Sequence, residues 1–213
     1  QAEDGIRDRS PSRGLGDVYK RQIIILLGPP GSGKGTQANF IQNKLSIPHL
    51  STGDILRQSV KNKTELGNIV KNVMAKGELV SDELVLQIIK ERISQNDCEK
   101  GFILDGYPRN IAQAESLKEV LKDVNRNIDR IIFLDVDFKV LQSRIETRSK
   151  ENNNEIRADD TSEVLIKRLD EYKLQTAPLA EYYSRDKKFK KINGMSAISD
   201  VSHDIENFLD ISI

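Results

Sequence analysis

Short unbroken apolar runs alternate along this chain with longer segments in which apolar residues recur at helical spacing. Ile23–Leu27 is a continuous aliphatic run that stops at a Gly/Pro cluster, the pattern of a strand buried on both faces of a parallel sheet. Pro48–Leu50, Phe102–Leu104, Ile131–Leu134 and Phe189–Ile192 are shorter runs of the same kind. Between them the 3.6-residue period predicts helices over Gly33–Leu45, Thr64–Lys76, Ser81–Ser94, Ile111–Lys122, Phe138–Arg148 and Ala197–Leu209, with one long helical stretch over Thr161–Ser184. Ser51-Thr52-Gly53-Asp54 reads as an N-cap cluster opening a further helix. Ser81, followed by Asp82 and Glu83, opens another. Strands alternating with helices predict the α/β class: a parallel five-stranded sheet flanked by helices on both faces. Glu151–Glu155 is a polar loop, and no internal repeat is visible.

Composition narrows the picture. Hydrophobic residues make up 37% and charged residues 31% of 213 residues, enough for a folded core. Lys plus Arg equals Asp plus Glu at 33 each, so no bulk basic field favours nucleic acid. The longest apolar run is far shorter than the roughly 20 residues a membrane span needs. The single cysteine, Cys98, excludes an intramolecular disulfide framework and a cysteine-based zinc cluster, and no role is assigned to it. The expectation is a cytoplasmic protein with no nucleic-acid and no membrane partner. Lys187, Lys188, Lys190 and Lys191 read as a solvated basic face, and His49 as a packed or edge residue beside the second strand.

Gln1–Gln22 is charged, rich in Arg, Gly and Ser, and without period. It lacks the apolar stretch of a signal peptide, and its acidic residues argue against a transit peptide. It reads as a tail outside the fold, either disordered or an artefact of adapter read-through, with the folded domain spanning 23–213.

Gly28-Pro29-Pro30-Gly31-Ser32-Gly33-Lys34-Gly35-Thr36 stands between the first strand and the first helix. Glycines there let successive backbone N–H groups face a phosphate, and the helix N-terminus adds its dipole. Lys34 can reach the β- and γ-phosphates of a nucleoside triphosphate. The loop departs from a strict Walker A, which sets Ser or Thr directly after the Lys to hold Mg²⁺. Gly35 stands there, and Thr36 follows one position later.

Transfer of phosphoryl groups between two polyanions calls for several arginines at separated sites, since Arg binds phosphate oxygens bidentately. They occur here in order: Ser51–Arg57 (STGDILR), Asp105–Arg109 (DGYPR), Arg144–Arg148 (RIETR), Arg157–Asp160 (RADD) and Arg168 on the long helix. With the GKGTQ loop, this conjunction resembles the adenylate kinase family, in its short-lid form, from about Ile23 to the C-terminus. The resemblance implies a P-loop NTPase-type sheet with a helical AMP-binding lobe over 51–80 and a short lid loop over 147–160. It implies a monomeric kinase serving adenine nucleotide homeostasis and nucleotide biosynthesis, ATP + AMP = 2 ADP, with Mg²⁺ travelling on ATP and no zinc.

The family's residues carry over position by position. Gly31, Ser32, Gly33, Lys34, Gly35, Thr36, Arg148 and Gly194 would bind ATP, with Arg148 stacking on its adenine and gripping phosphate. Thr52, Arg57, Glu78, Leu79, Val80, Gly106, Tyr107, Pro108, Arg109, Gln113, Arg157 and Arg168 would bind AMP. Arg57 and Arg109 would take its phosphate. Arg157 and Arg168 would close over the transferred phosphoryl group, with Asp159 and Asp160 organising the lid. Lys34, Asp105, Arg109, Arg148, Arg157 and Arg168 form the expected catalytic set, in which no side chain ligates the metal directly and Asp105 orients it through water. An amide can pair bidentately with an adenine edge, and Gln113 with Thr52 points to AMP. Two rivals remain at this stage. One is a kinase of UMP or CMP, which Gln113 and Thr52 oppose. The other is a catalytically silent nucleotide-binding module, which the intact set of cations opposes.

Overall fold

A computed structural model describes residues 22–141, 143–144 and 162–210. The tail before Gln22, Arg148, Arg157, Asp159, Asp160 and the lid segment 147–160 lie outside the described residues. Five strands pair in parallel in the order β2-β3-β1-β4-β5: β1 (Gln22–Leu27), β2 (His49–Ser51), β3 (Gly101–Asp105), β4 (Arg130–Asp135) and β5 (Phe189–Asn193). The central strand β1 alternates its aliphatics between two cores, as a period of two requires. Ile23, Ile25 and Leu27 face one side with Phe102, Leu104, Ile131 and Phe133. Ile24 and Leu26 face the other with Ile103, Ile132, Leu134 and Ile192.

Helices cover both faces. On the first side lie α4 (Asp82–Ile93), α5 (Ile111–Asp123) and α7 (Pro178–Ser184), which contribute Ile89, Leu117 and Leu179 among others. On the second lie α1 (Lys34–Leu45) and α8 (Ile198–Leu209), through Ala38, Ile41, Val201 and Ile205. Each such aliphatic side chain, fully buried, contributes about 1.5–3 kcal/mol. The crossovers start where the sequence places capping hydroxyls: Ser51, Thr64 and Ser81 accept from Asp54 N, Gly67 N and Leu84 N. The outer strand β5 exposes Lys190 and Lys191, charges that discourage pairing with another chain.

Strand boundaries differ from expectation by a residue or two. Gln22, set aside with the tail, belongs to β1 and pairs with Gly101. The long helical stretch is not continuous: α6 (Ser162–Glu171) passes into a π turn, Tyr172–Thr176, before α7. Pro178 has no N–H to give the preceding turn, and Ala177 N–H reaches back five residues to Tyr172 O at 2.8 Å.

A helix pair, α2 (Thr52–Lys61) and α3 (Glu65–Ala75), stands beside the sheet with a small apolar cluster of its own around Leu56, Val70 and Ile88. The pair packs backbone to backbone at Gly67, where an added Cβ would come within 2.1 Å of Ser59 O. No rotamer change relieves a clash with a main-chain carbonyl. Gly67→Ala should therefore lower stability by about 1–3 kcal/mol despite the better helix propensity of Ala. A thermal midpoint unchanged or raised in the variant would show that the two helices separate without cost.

Candidate active site

Because β1 is central and parallel, its carboxyl end opens into the crevice where the strand order reverses, the usual ligand position in such sheets. The chain leaves β1 through Gly28 at φ 146°, where a Cβ would lie 2.8 Å from Ser32 Oγ and 2.9 Å from Leu134 O. Only glycine permits that turn. The loop then curls over its own lysine: Lys34 Nζ donates to Gly28 O at 2.9 Å and Pro29 O at 3.0 Å. Ser32 Oγ is buried with no hydrogen-bond partner among the described residues, an open valence beneath the loop. A cleft of about 940 Å³ begins here, and all six predicted loop residues from Gly31 to Thr36 line it. Gly194, just past β5, lines it as well.

Asp105 stands at the end of β3 on the same cleft. Its Oδ2 lies 3.2 Å from His49 Nε2 on the neighbouring strand β2. Burial alone would push the Asp105 pKa up, but the hydrogen bond to His49 and the nearby Lys34 charge outweigh it. The carboxyl is held below the ordinary carboxylate range. His49 is thus more than a packed edge residue. Strand register brings it to a carboxylate 56 positions away.

A second, smaller cavity of about 50 Å³ adjoins the cleft under α2 and α3. Thr52, Arg57, Glu78, Leu79, Val80, Gly106, Arg109, Gln113 and Arg168 all line it, so the separated motifs meet at one place. Arg57, Arg109 and Arg168 line both cavities. Local partners hold the guanidiniums of Arg57 and Arg109 in part: Arg57 Nη2 donates to Asp54 Oδ1 at 2.5 Å, and Arg109 Nε to Gly106 O at 2.9 Å. Thr52 Oγ1 donates to Gly106 O at 3.0 Å.

The Arg109 backbone is fixed from two sides. Its N–H donates to Gln113 Oε1 at 2.7 Å, and its carbonyl accepts from Thr176 Oγ1, in the π turn, at 2.7 Å. Gln113 Nε2 in turn donates to Asp82 Oδ1 at 2.7 Å. Pro108 lines the cleft, whereas Tyr107 is fully buried, lines neither cavity and donates its hydroxyl to Gln113 O.

The sequence assigns no site role to several residues in or beside the two cavities. Leu56, Met74 and Val85 give the smaller cavity an apolar wall. Arg144 lines the cleft and donates to Gly194 O at 2.9 Å; its place at the head of the RIETR motif was the available signal. Thr176, Asp82 and His49 carried no local signal, because their partners lie 67, 31 and 56 positions away. Cys98 is buried, and burial pushes its thiol up to about 11, which leaves it a poor nucleophile.

Comparison with known proteins agrees with this geometry. The family model described as adenylate kinase matches residues 26–188. The chain is 47% identical over 189 residues to an adenylate kinase of Brucella ovis, covering 87% of this chain and 97% of that relative. It is equally identical, over 89% of this chain and 92% of the relative, to an adenylate kinase of Parvibaculum lavamentivorans. With a phosphate loop at the end of β1 and three arginines where two cavities meet, the chain belongs to the adenylate kinase family.

Proposed function

We propose that the larger cleft takes ATP and the smaller cavity AMP, and that the chain interconverts ATP plus AMP with two ADP. The observation that carries this assignment is the position of Arg57, Arg109 and Arg168, which line both cavities. Three guanidiniums at such a junction suit the point where the phosphates of two nucleotides meet. An oxygen of the AMP phosphate attacks the γ-phosphorus of ATP. The bond from that phosphorus to the β–γ bridging oxygen breaks, and its electron pair leaves with ADP. The acceptor, carrying the phosphoryl group, becomes the second ADP. Little covalent chemistry falls to the protein, which supplies alignment and positive charge.

Lys34 would exchange its two loop carbonyls for β- and γ-phosphate oxygens. Arg57 and Arg109 would hold the AMP phosphate, and Arg168 would meet the phosphoryl group in flight. Arg148 and Arg157, outside the described residues, are assigned to the ATP adenine and phosphates and to the transferred group. The lobe over 51–80 would clamp AMP and the segment over 147–160 would close as a short lid, since water must be excluded only when both substrates are present.

The cleft's donors suit magnesium, a hard cation that takes oxygen ligands. The Asp105 carboxylate stays charged, and the Ser32 and Thr36 hydroxyls line the same space. Among the described residues no group of three or more His, Cys, Asp or Glu could hold a metal. The ion would therefore be carried by ATP, with Asp105 orienting its water shell. When bound it neutralises charge on the phosphate oxygens. No zinc is assigned. No helix among the described residues is long and apolar enough to cross a membrane. We extend the proposal to a monomer working on the cytoplasmic adenine nucleotide pool.

A coupled assay offering Mg-ATP with AMP, GMP, UMP or CMP should give rapid ADP formation with AMP alone. A folded enzyme that prefers UMP would overturn the assignment. Lys34→Ala should keep its fold by circular dichroism and lose at least about 10²–10³ in kcat; near-normal turnover would remove the Lys from the reaction. Gln113→Ala should weaken AMP by roughly 1–3 kcal/mol while the KM for ATP holds. Arg57→Ala should likewise act mainly on AMP. Equal losses for both nucleotides would mean that the smaller cavity is not the AMP site.

A further inference from the structure

The side chain assigned above to the AMP base is held by a carboxylate that lines neither cavity. Gln113 is 2% exposed, and both ends of its amide are engaged. Oε1 accepts from Arg109 N–H at 2.7 Å, and Nε2 donates to Asp82 Oδ1 at 2.7 Å. Asp82 is itself held: Asn110 Nδ2 donates to its Oδ1 at 3.1 Å and its Oδ2 at 3.0 Å. Asn110 is in turn the N-cap of α5, and its Oδ1 accepts from Gln113 N–H at 2.7 Å. Donor and acceptor of the Gln113 amide are thus assigned by fixed neighbours.

We infer that Asp82 is a specificity-determining positioning residue, which locks the Gln113 amide in the one orientation that reads a 6-aminopurine and rejects a 6-oxopurine. The inference rests on the placement of AMP in the smaller cavity. With one N–H and one lone pair committed, Gln113 keeps a second N–H on Nε2 and a second lone pair on Oε1. That pair matches adenine, whose N1 accepts and whose N6 amino group donates. Hypoxanthine and guanine present the reverse, an N1–H donor and an O6 acceptor, and need the amide turned by half a rotation. Turned, Oε1 would face the Asp82 carboxylate and Nε2 would face the Arg109 N–H. Both existing hydrogen bonds would become contacts between like groups in a buried site, where such mismatches weigh most. A freely rotating amide would accept either base. The acid on α4 and the Arg109 N–H together withhold that freedom, and Asp82 does its part from outside both cavities.

The test compares AMP with inosine 5′-monophosphate, which differs from it at the purine edge and lacks the 2-amino group of GMP. In Asp82→Ala the ratio of kcat/KM for AMP to that for inosine monophosphate should fall at least about tenfold, with the KM for ATP unchanged. Asp82→Leu keeps the bulk of the side chain and stands in if the Ala form does not fold. Leucine offers Gln113 neither donor nor acceptor, so only the Arg109 N–H still orients the amide. It should therefore lose discrimination too, whereas loss of a residue that only held α4 against α5 lowers kcat/KM for both monophosphates alike. A wild-type ratio in either variant, or equal losses for both monophosphates, overturns the lock. A wild-type enzyme that ignores AMP overturns instead the reading of the cavity on which the lock rests.

Discussion

Positive charge gathered around one cleft, in readiness for phosphate, is the constraint on which the rest of the structure depends. Lys34, Arg57, Arg109 and Arg168 all line the cleft, and like charges at short range repel strongly where water is sparse. The chain answers with polar partners for Lys34, Arg57 and Arg109. Lys34 rests on the carbonyls of Gly28 and Pro29, Arg57 on Asp54 and Arg109 on Gly106. Carbonyl oxygens and an exposed carboxylate are weaker partners for these cations than phosphate oxygens. An arriving nucleotide can displace them, and the cations stay ordered meanwhile.

Holding those partners in place requires a rigid base, which the sheet supplies. β1 buries aliphatics on both faces, so the turn after Leu27 starts from a position that cannot slide without moving both cores. β3 ends beside it at Asp105, and β2 brings His49 to the same carboxylate. Beyond the sheet the packing is lighter. The α2–α3 pair relies on a small cluster around Leu56 and Val70 and on the close approach at Gly67. Elements with few buried contacts are the ones that move at low cost, and here they carry Arg57 and one wall of the smaller cavity.

The π turn links these two regimes. It sets Thr176 against the carbonyl of Arg109, while α6 before it carries Arg168 into the cleft. One helical segment thereby supplies a cation and fixes the backbone of another. Wider turns of this kind inside helices recur at functional sites, and Pro178 gives it a covalent cause.

The sequence by itself determined the sheet, the loop and the identity of most side chains around the cleft. Buried strands and amphipathic helices announce themselves by local period, and a loop that must wrap phosphate needs glycines at fixed spacing beside a lysine. Such features depend on neighbours within a few residues, so they were legible in Ile23–Leu27, in Gly28–Thr36 and in the STGDILR and DGYPR motifs. Tertiary structure alone decided which atoms of those side chains stay available. Register between parallel strands placed His49 on Asp105, and the packing of α4 against α5 placed Asp82 on Gln113. It also placed Tyr107, the tyrosine of the DGYPR motif, fully inside the core. These pairings join residues dozens of positions apart through the positions of intervening elements. No spacing in the chain records them, because contacts of that range are set by how cores close and not by local preference.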